Sequence, residues 1–332
     1  MSRLAQIAYP LRFYGALRRV TRLHHRDRDM ADHPFPRVVQ LQTINACQAA
    51  CTMCPYPLFK DVFARGRMED GLFEKVLDEI AGRPEAAVFV PMLQNEPLLD
   101  RRLFDRIAAV KARTGGRMEV ELVTNGALLT DEVVERVRET RLDYLDVSLD
   151  ALSRETYGRI RIGLDYDDVI AGVERVMAAD LPDTTIVLRL VRQRENAAEV
   201  AAFVRHWRAR GAVVFTHTVN NRVGSVPGYD ERIRIPDREI PVLQKAGRRV
   251  FRRWLGCCPV PFASANILHN GDVLLCVQDW ARKEVLGNVR EATIAEIWNG
   301  ARMREIRALV RDRRYEEVPT CRDCSLWKDG WV

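Results

Sequence analysis

Three cysteines, Cys47, Cys51 and Cys54, stand in C-x3-C-x2-C spacing within the run from Asn45 to Pro55. That spacing lets three thiolates of one short loop converge on a single iron–sulfur cube and leaves one iron without a protein ligand. A cube completed by four cysteines suits electron transfer, whereas one with an open iron binds a small molecule and does chemistry on it. The alternative is a zinc knuckle. Zinc loops usually supply two cysteines as C-x2-4-C with a matching pair elsewhere, and a triplet of this spacing is unusual for them. Near the other end of the chain stand Cys258, Cys276 after Gly271, and the C-x2-C pair Cys321 and Cys324. Four thiolates are enough to ligate a further [4Fe-4S] cluster completely, with structural zinc again the alternative. Cys257 is then left over from a total of eight cysteines. By default a free cysteine is a buried small hydrophobe. It could instead replace Cys258 as ligand, or act as a hydrogen-atom donor near a substrate.

Elements must carry these loops to one place. From Arg37 to about Val219 short β-branched runs alternate with longer amphipathic segments, the pattern of repeated βα units. Six strands are expected at Val38–Ile44, Ala87–Leu93, Met118–Thr124, Leu142–Leu149, Thr185–Val191 and Val213–Val219. Helices are expected near Gly71–Ile80, Arg102–Arg113, Asp131–Glu139, Tyr166–Ala178 and Asn196–Arg210, from apolar residues at i, i+3, i+4 spacing. Six units are too few for a closed eight-stranded barrel, so the expected fold class is α/β, a partial (β/α)6 TIM-type barrel. Active sites of such barrels form at the C-terminal ends of the strands. A Gly- and Pro-bearing linker follows, and then a small C-terminal iron–sulfur domain of one β-hairpin plus a helix. Asn270-Gly271 is the hairpin turn, as both positions tolerate positive φ, and Thr293 to Val310 reads as the helix. The expected boundaries are 1–35 for a basic N-terminal extension, 36–220 for the barrel, 221–256 for the linker and 257–332 for the tail.

The net charge of +6 is carried by 46 Arg and only 6 Lys, without a basic patch interleaved with aromatics, so no nucleic-acid partner is expected. Leu4, Ile7, Leu11 and Tyr14 recur at helical spacing beside several arginines. A basic amphipathic helix can lie on a membrane surface, but more often it packs on its own domain, and Pro10 would kink it. Neither a membrane span nor an export signal is seen. The expected location is therefore cytoplasmic, where thiols stay reduced and eight cysteines point to metal or redox chemistry.

The cysteine triplet resembles the signature of the radical S-adenosylmethionine (SAM) enzymes, and later strand ends resemble that family in order. Gln94-Asn95-Glu96-Pro97 stands where the family usually has a Gly-Gly-Glu type segment, with Asn95 replacing a glycine. By that resemblance Glu96 accepts hydrogen bonds from the SAM amino group. Thr124-Asn125-Gly126 matches a common turn, Ser148 and Asp150 resemble the ribose-binding pair, and the Met53 backbone reads the adenine edge. Arg161 and Arg189 are further candidates for the SAM carboxylate or a substrate anion. The tail resembles the twitch domain, the one-cluster relative of the SPASM domain, because no cysteines follow Cys324.

The resemblance implies two [4Fe-4S] clusters, the first with an open iron that binds SAM. It implies a reductant such as flavodoxin or ferredoxin, and a 5′-deoxyadenosyl radical that removes a hydrogen atom from an unactivated C–H bond. A fully ligated second cluster can accept the electron left on the substrate, which favours oxidation. Twitch enzymes of similar size dehydrogenate a secondary alcohol of an aminocyclitol or aminoglycoside sugar, and the expected function is that reaction in natural-product biosynthesis. A hydroxyl-bearing radical also needs a proton acceptor; Arg189, Arg192, His217 and Arg222 lie at or beyond the last two strand ends. The alternatives are a radical epimerase using Cys257 as hydrogen donor, a peptide-modifying radical SAM enzyme, and a non-catalytic iron–sulfur or zinc-binding protein.

Overall fold

A computed structural model describes residues 34–236, 239 and 257–329. The predicted N-terminal amphipathic helix and most of the linker lie outside the described residues.

All six expected strands form, each within its predicted run or overshooting it by one residue: β1 Val38–Leu41, β2 Val88–Val90, β3 Glu119–Thr124, β4 Tyr144–Ser148, β5 Thr185–Arg192 and β6 Val213–Thr218. All but β5 are shorter than expected, because pairing stops where the chain turns into the mouth loops. Helices α1 Asp70–Ala81, α2 Leu103–Arg113 and α3 Asp131–Glu139 follow the first three units. Two helices stand between β4 and β5, α4 Arg154–Ile160 and α5 Tyr166–Ala178, and α6 Val200–Ala209 precedes β6. Helix α4 was not expected. Its signal was local: Ser153 accepts the Thr156 N–H as an N-cap, and Glu155 lies in the first turn.

Every pairing from β1 to β6 is parallel, with register such as Val39↔Phe89, Leu145↔Ile186 and Val191↔His217. Alternation along the strands splits the side chains between two faces. Val120, Leu122, Leu145, Val147, Leu188 and Leu190 join the main core under the helices. Glu121, Asp146, Arg189 and His217 occupy alternate positions on the other face, the inside of the open barrel.

The tail continues this sheet. Strands β7 Ser264–Ile267, β8 Asp272–Leu274 and β9 Val285–Asn288 extend it to nine strands in the order β6-β5-β4-β3-β2-β1-β7-β8-β9, with β7 parallel to β1. Ala265, Ile267, Val273, Ile294 and Ile297 enter the same core as the barrel helices. Glu79 of α1 accepts the Ile294 and Ala295 N–H groups at 2.7 and 2.8 Å, satisfying the start of α7 Ile294–Trp298. The expected single helix over Thr293–Val310 is two, α7 and α8 Ala301–Arg311, broken at Asn299-Gly300. In the hairpin turn only Gly271 takes a positive φ (+97°). A reverse turn closed by Gly271 N–H to Leu268 O at 2.9 Å therefore precedes one left-handed glycine. A second core, with Cys257, Phe262, Trp298, Met303, Ile306 and Val318, belongs to the tail alone.

Candidate active site and metal centres

The loop after β1 carries Cys47, Cys51 and Cys54 across the barrel mouth, where their neighbours include Met53, Val191 and Val219. Backbone bonds pin it on two sides. Ala50 and Thr52 donate to Ile162 O and Ile160 O at 2.8 and 3.0 Å, while Ala46 O accepts Glu96 N–H at 2.8 Å. The unexpected helix α4 is thus what holds the cysteine loop. Gly163 (φ +87°) permits the approach, since a Cβ there would meet Gln48 O at 3.3 Å.

The thiols are shaped for iron in two ways. Cys47 and Cys54 are pushed up to about 12 and about 11 by burial, so they hold protons until a cation compensates their charge. Cys47 accepts the Ala49 N–H and Cys54 that of Tyr56, two residues on in each case. In the tail Cys258 accepts from Val260, Cys276 from Gln278 at 3.4 Å, and Cys324 from Leu326 and Trp327. Such N–H donation to sulfur favours the thiolate that a cluster needs and tunes its potential.

Cys258 is raised by burial and then by Cys321, Cys276 and Cys324, so these four thiols are close enough to act on one another electrostatically. Cys257 does not join them. Its thiol, pushed up to about 11 by burial, faces Arg311 and Arg313, and the residue is 1% exposed inside the tail core. Cys258, not Cys257, therefore lies with the other three tail thiols, and Cys257 is enclosed in the tail core. Among the described residues no three His, Cys, Asp or Glu side chains converge as tightly as one metal ion requires.

Glu96 is fully enclosed at the end of the second unit. Its Oε1 accepts Thr124 O–H at 2.7 Å and Leu98 N–H at 3.1 Å, and its Oε2 accepts Asn125 N–H at 2.8 Å. Burial raises its pKa against these bonds and against the charge of Arg161, which forms no ion pair with it among the described residues. Oε2 keeps a lone pair for one more donor. Asn125 itself accepts Gln48 Nε2–H at 3.4 Å, linking this strand end to the cysteine loop.

Asp150 has a different task from the one expected. Although it lies two residues beyond Ser148, its φ is +61° and its carboxylate turns inward. Oδ1 accepts Val191 N–H at 2.6 Å and Oδ2 pairs with Arg161 at 2.5 Å. Arg161 in turn donates to Cys51 Sγ at 3.5 Å. Burial opposes its charge, but Asp150 and Cys51 outweigh that and keep it firmly protonated. Asp150 and Arg161 thus support the cysteine loop, and only Ser148 of the expected ribose pair stays uncommitted.

Arg189 is likewise committed. It pairs with Asp146, its Nε lying 3.0 and 2.9 Å from the two carboxylate oxygens, reaches Glu121 at 3.3 Å, and stacks 5.0 Å from the Phe215 ring. One register step higher, His217 has an enclosed Nδ1 with no hydrogen-bond partner. Burial, then Arg189, Arg222 and Arg192, push it well below its usual value, so the imidazole is neutral.

The tail is locked onto this mouth. Gln94, just before Glu96, donates to Val277 O and Asp279 O, each at 3.1 Å, beside Cys276. Asn221 exchanges bonds with Ser325 at 3.0 Å and with Asp323 O at 2.6 Å, beside Cys324. Gln278, which sequence reasoning did not single out, had one available signal: it stands two residues after a ligand-type cysteine.

A partial parallel barrel whose mouth loop presents three thiols, joined through its own sheet to a tail with four more, defines an enzyme of the iron–sulfur, SAM-using class. The Radical SAM superfamily is matched over residues 41–206, and an iron–sulfur cluster-binding domain of SPASM type over residues 257–325. The chain belongs to the radical SAM superfamily. Its cofactors are a [4Fe-4S] cluster, S-adenosylmethionine and an auxiliary iron–sulfur cluster.

Among its relatives is the tungsten-containing aldehyde ferredoxin oxidoreductase cofactor-modifying protein of Pyrococcus furiosus, 25% identical over 87% of each chain. Another is the S-adenosyl-L-methionine-dependent 2-deoxy-scyllo-inosamine dehydrogenase of Niallia circulans, 20% identical over 87% of this chain and 92% of that one. The crystal structure of BtrN in complex with AdoMet and 2-DOIA shares the fold, with a TM-score of 0.60 at 18% identity over 87% of this chain and 92% of that one. No helix among the described residues is long and apolar enough to cross a membrane.

Proposed function

We propose that this enzyme dehydrogenates a secondary alcohol of a sugar or aminocyclitol to the ketone. The observation that carries the reading is the closed set of four tail thiols, Cys258, Cys276, Cys321 and Cys324, beside a barrel interior that holds one neutral imidazole among arginines. When bound, the open cluster and SAM supply the 5′-deoxyadenosyl radical that takes a hydrogen atom from carbon, and the tail cluster takes up the electron left over. The protein's own residues do the remaining work. Cys47, Cys51 and Cys54 hold the open cluster. Oε2 of Glu96 accepts from the SAM ammonium, the Asn125 turn keeps Glu96 in place, Ser148 bonds a ribose hydroxyl, and the Met53 backbone meets the adenine edge. Oxidation of H–C–O–H to C=O also releases the hydroxyl proton. Arginines do not deprotonate in proteins. Of Arg189, Arg192, His217 and Arg222, His217 alone is neutral, and its imidazole takes that proton. A flavodoxin- or ferredoxin-type reductant supplies the starting electron.

The similarity to the Niallia circulans dehydrogenase supports this substrate class. A second reading, modification of a larger cofactor, has the Pyrococcus furiosus relative behind it. The epimerase reading lacks its donor, since Cys257 lies in the tail core. The test is an anaerobic reaction of the reconstituted chain with SAM, dithionite and a panel of sugars and aminocyclitols that includes 2-deoxy-scyllo-inosamine. The expected result is one ketone per 5′-deoxyadenosine. Cleavage of SAM with no oxidised product from any member would overturn the reading.

A further inference from the structure

The loop after β6 is strained in a way that the site described so far does not require. Arg222 (φ +47°), Val223 (φ +59°) and Gly224 (φ +81°) are consecutive left-handed residues. Two of them carry side chains, and Val is β-branched, so each costs about 1–2 kcal/mol relative to ordinary backbone. The loop persists because it is held at several points. Asn220 Oδ1 accepts Arg222 N–H at 3.0 Å, Lys283 donates to Val223 O at 3.3 Å and pairs with Asp323 at 2.9 Å, and Asn221 is bonded to Asp323 and Ser325. Strain so heavily supported points to a side chain that must stand in one place.

That side chain is the Arg222 guanidinium. It donates to Gln278 Oε1, and Gln278 N–H donates to Cys276 Sγ at 3.4 Å, so a two-bond path runs from Arg222 to a tail thiol. In the other direction the guanidinium lies near enough to Cys54 of the mouth for its charge to be felt there. No carboxylate forms an ion pair with Arg222 among the described residues; Asp150, the nearby acid, is paired with Arg161. A half-buried guanidinium without a carboxylate partner is open to pairing with a negative charge brought beside it. A thiolate-ligated iron–sulfur cube carries net negative charge, and two such cubes would flank this guanidinium.

We propose that Arg222 is a fixed positive charge shared by the two clusters, held between Cys54 and Cys276 so that it raises the reduction potential of both. Each cluster becomes more negative when it takes an electron, and a nearby cation stabilises that form. The strained loop keeps the charge from swinging to solvent, and its ties to Asp323 and Ser325 set it relative to Cys324. Arg222 acts through the clusters and is a positioning residue.

The inference rests on the ligand assignment above, but not on the alcohol reading, since the test needs no substrate. The midpoint potentials of both clusters are measured by EPR-monitored titration of the anaerobically reconstituted chain. Arg222→Gln should shift both potentials to more negative values, and Arg222→Lys should leave both near those of the parent. A shift of neither potential, or of one alone, overturns the proposal. Iron content on the same samples shows separately whether the ligand assignment holds. If Arg222→Gln does not retain both clusters, Gln278→Leu decides: freeing the guanidinium from the Cys276 side should make the tail potential more negative than the mouth potential by comparison with the parent, and an unchanged tail potential overturns the proposal.

Discussion

The two groups of cysteines are built by opposite strategies. The mouth triad lies within one loop, from Cys47 to Cys54, and needs the fold only to pin that loop, through Ile160, Ile162 and Glu96. The tail set is assembled from three stretches far apart in sequence, and its geometry exists only because a separate core around Phe262, Trp298 and Ile306 brings them together. Beside the mouth stands an enclosed carboxylate with a lone pair to spare. Beside the tail cysteines the polar atoms are mostly committed: Asp279 accepts Lys283 and Glu284 N–H groups and Thr320 O–H at 3.0, 2.9 and 2.8 Å. The mouth keeps an acceptor for one further donor, while Asp279 beside the tail cysteines is bonded within the protein.

The largest effect that can break this contrast is in iron and SAM cleavage. Replacing Cys47, Cys51 and Cys54 together by Ala should remove about four of about eight irons and abolish 5′-deoxyadenosine formation. Replacing Cys321 and Cys324 should also remove about four irons but leave SAM cleavage measurable, with ketone formation lost. Iron assay and chromatography of the nucleoside check both. Equal loss of cleavage in the two variants would mean that the centres are not functionally distinct.

The support of the mouth loop gives the next effect. Asp150→Ala leaves Arg161, beside Cys51, as an uncompensated buried cation, which should cost about 3–5 kcal/mol. Arg141→Ala, which breaks an exposed pair with Asp183, should leave the melting temperature nearly unchanged, because solvent screens that pair. Thermal melts of the two variants compare them directly. An Asp150 variant as stable as the Arg141 variant would show that the ion pair does not hold the loop.

The same contrast explains what could be read from sequence. The mouth triad could be singled out because its three thiols are neighbours in the chain, and the six strands were legible because they carry β-branched runs between amphipathic segments. Helix α4 escaped because seven residues offer too few turns for periodicity, although it pins the cysteine loop. The joining of β7 to β1 could not be read, since two short strands far apart in sequence carry no mark of their pairing. Asp150 was misplaced for a related reason. Alternation predicts facing only while the chain stays extended, and the left-handed φ at Asp150 ends that.

A smaller effect concerns ligand affinity at the mouth. Glu96→Gln exchanges a charged acceptor for a neutral amide at the SAM ammonium, and should weaken SAM binding by about tenfold while iron content holds. Ser148→Ala should weaken it by a few-fold at most, as a single neutral hydrogen bond contributes about 0.5–1.5 kcal/mol. Asp150 is not expected to act through ribose. Equilibrium dialysis with labelled SAM measures both variants, and unchanged affinity in both would move the nucleoside pocket away from these strand ends.

The smallest effect is expected at Cys257, one residue from the proposed tail ligand Cys258 and yet enclosed in the tail core. Cys257→Ala should cost about 1 kcal/mol from lost packing, keep the full iron content, and leave turnover largely intact. Cys258→Ala should instead lose the tail cluster, although the two cysteines are adjacent, because of the two only Cys258 is close enough to interact electrostatically with Cys276, Cys321 and Cys324. An epimerase would answer differently: denied its thiol donor it would consume SAM with little inverted product. Turnover in deuterated water gives an independent measure, since a thiol exchanges with solvent and would deliver deuterium to the attacked carbon. One solvent deuteron in an otherwise unoxidised product would mean that Cys257 leaves the core during turnover, and the distinction between an open mouth and a closed tail would fail at that residue.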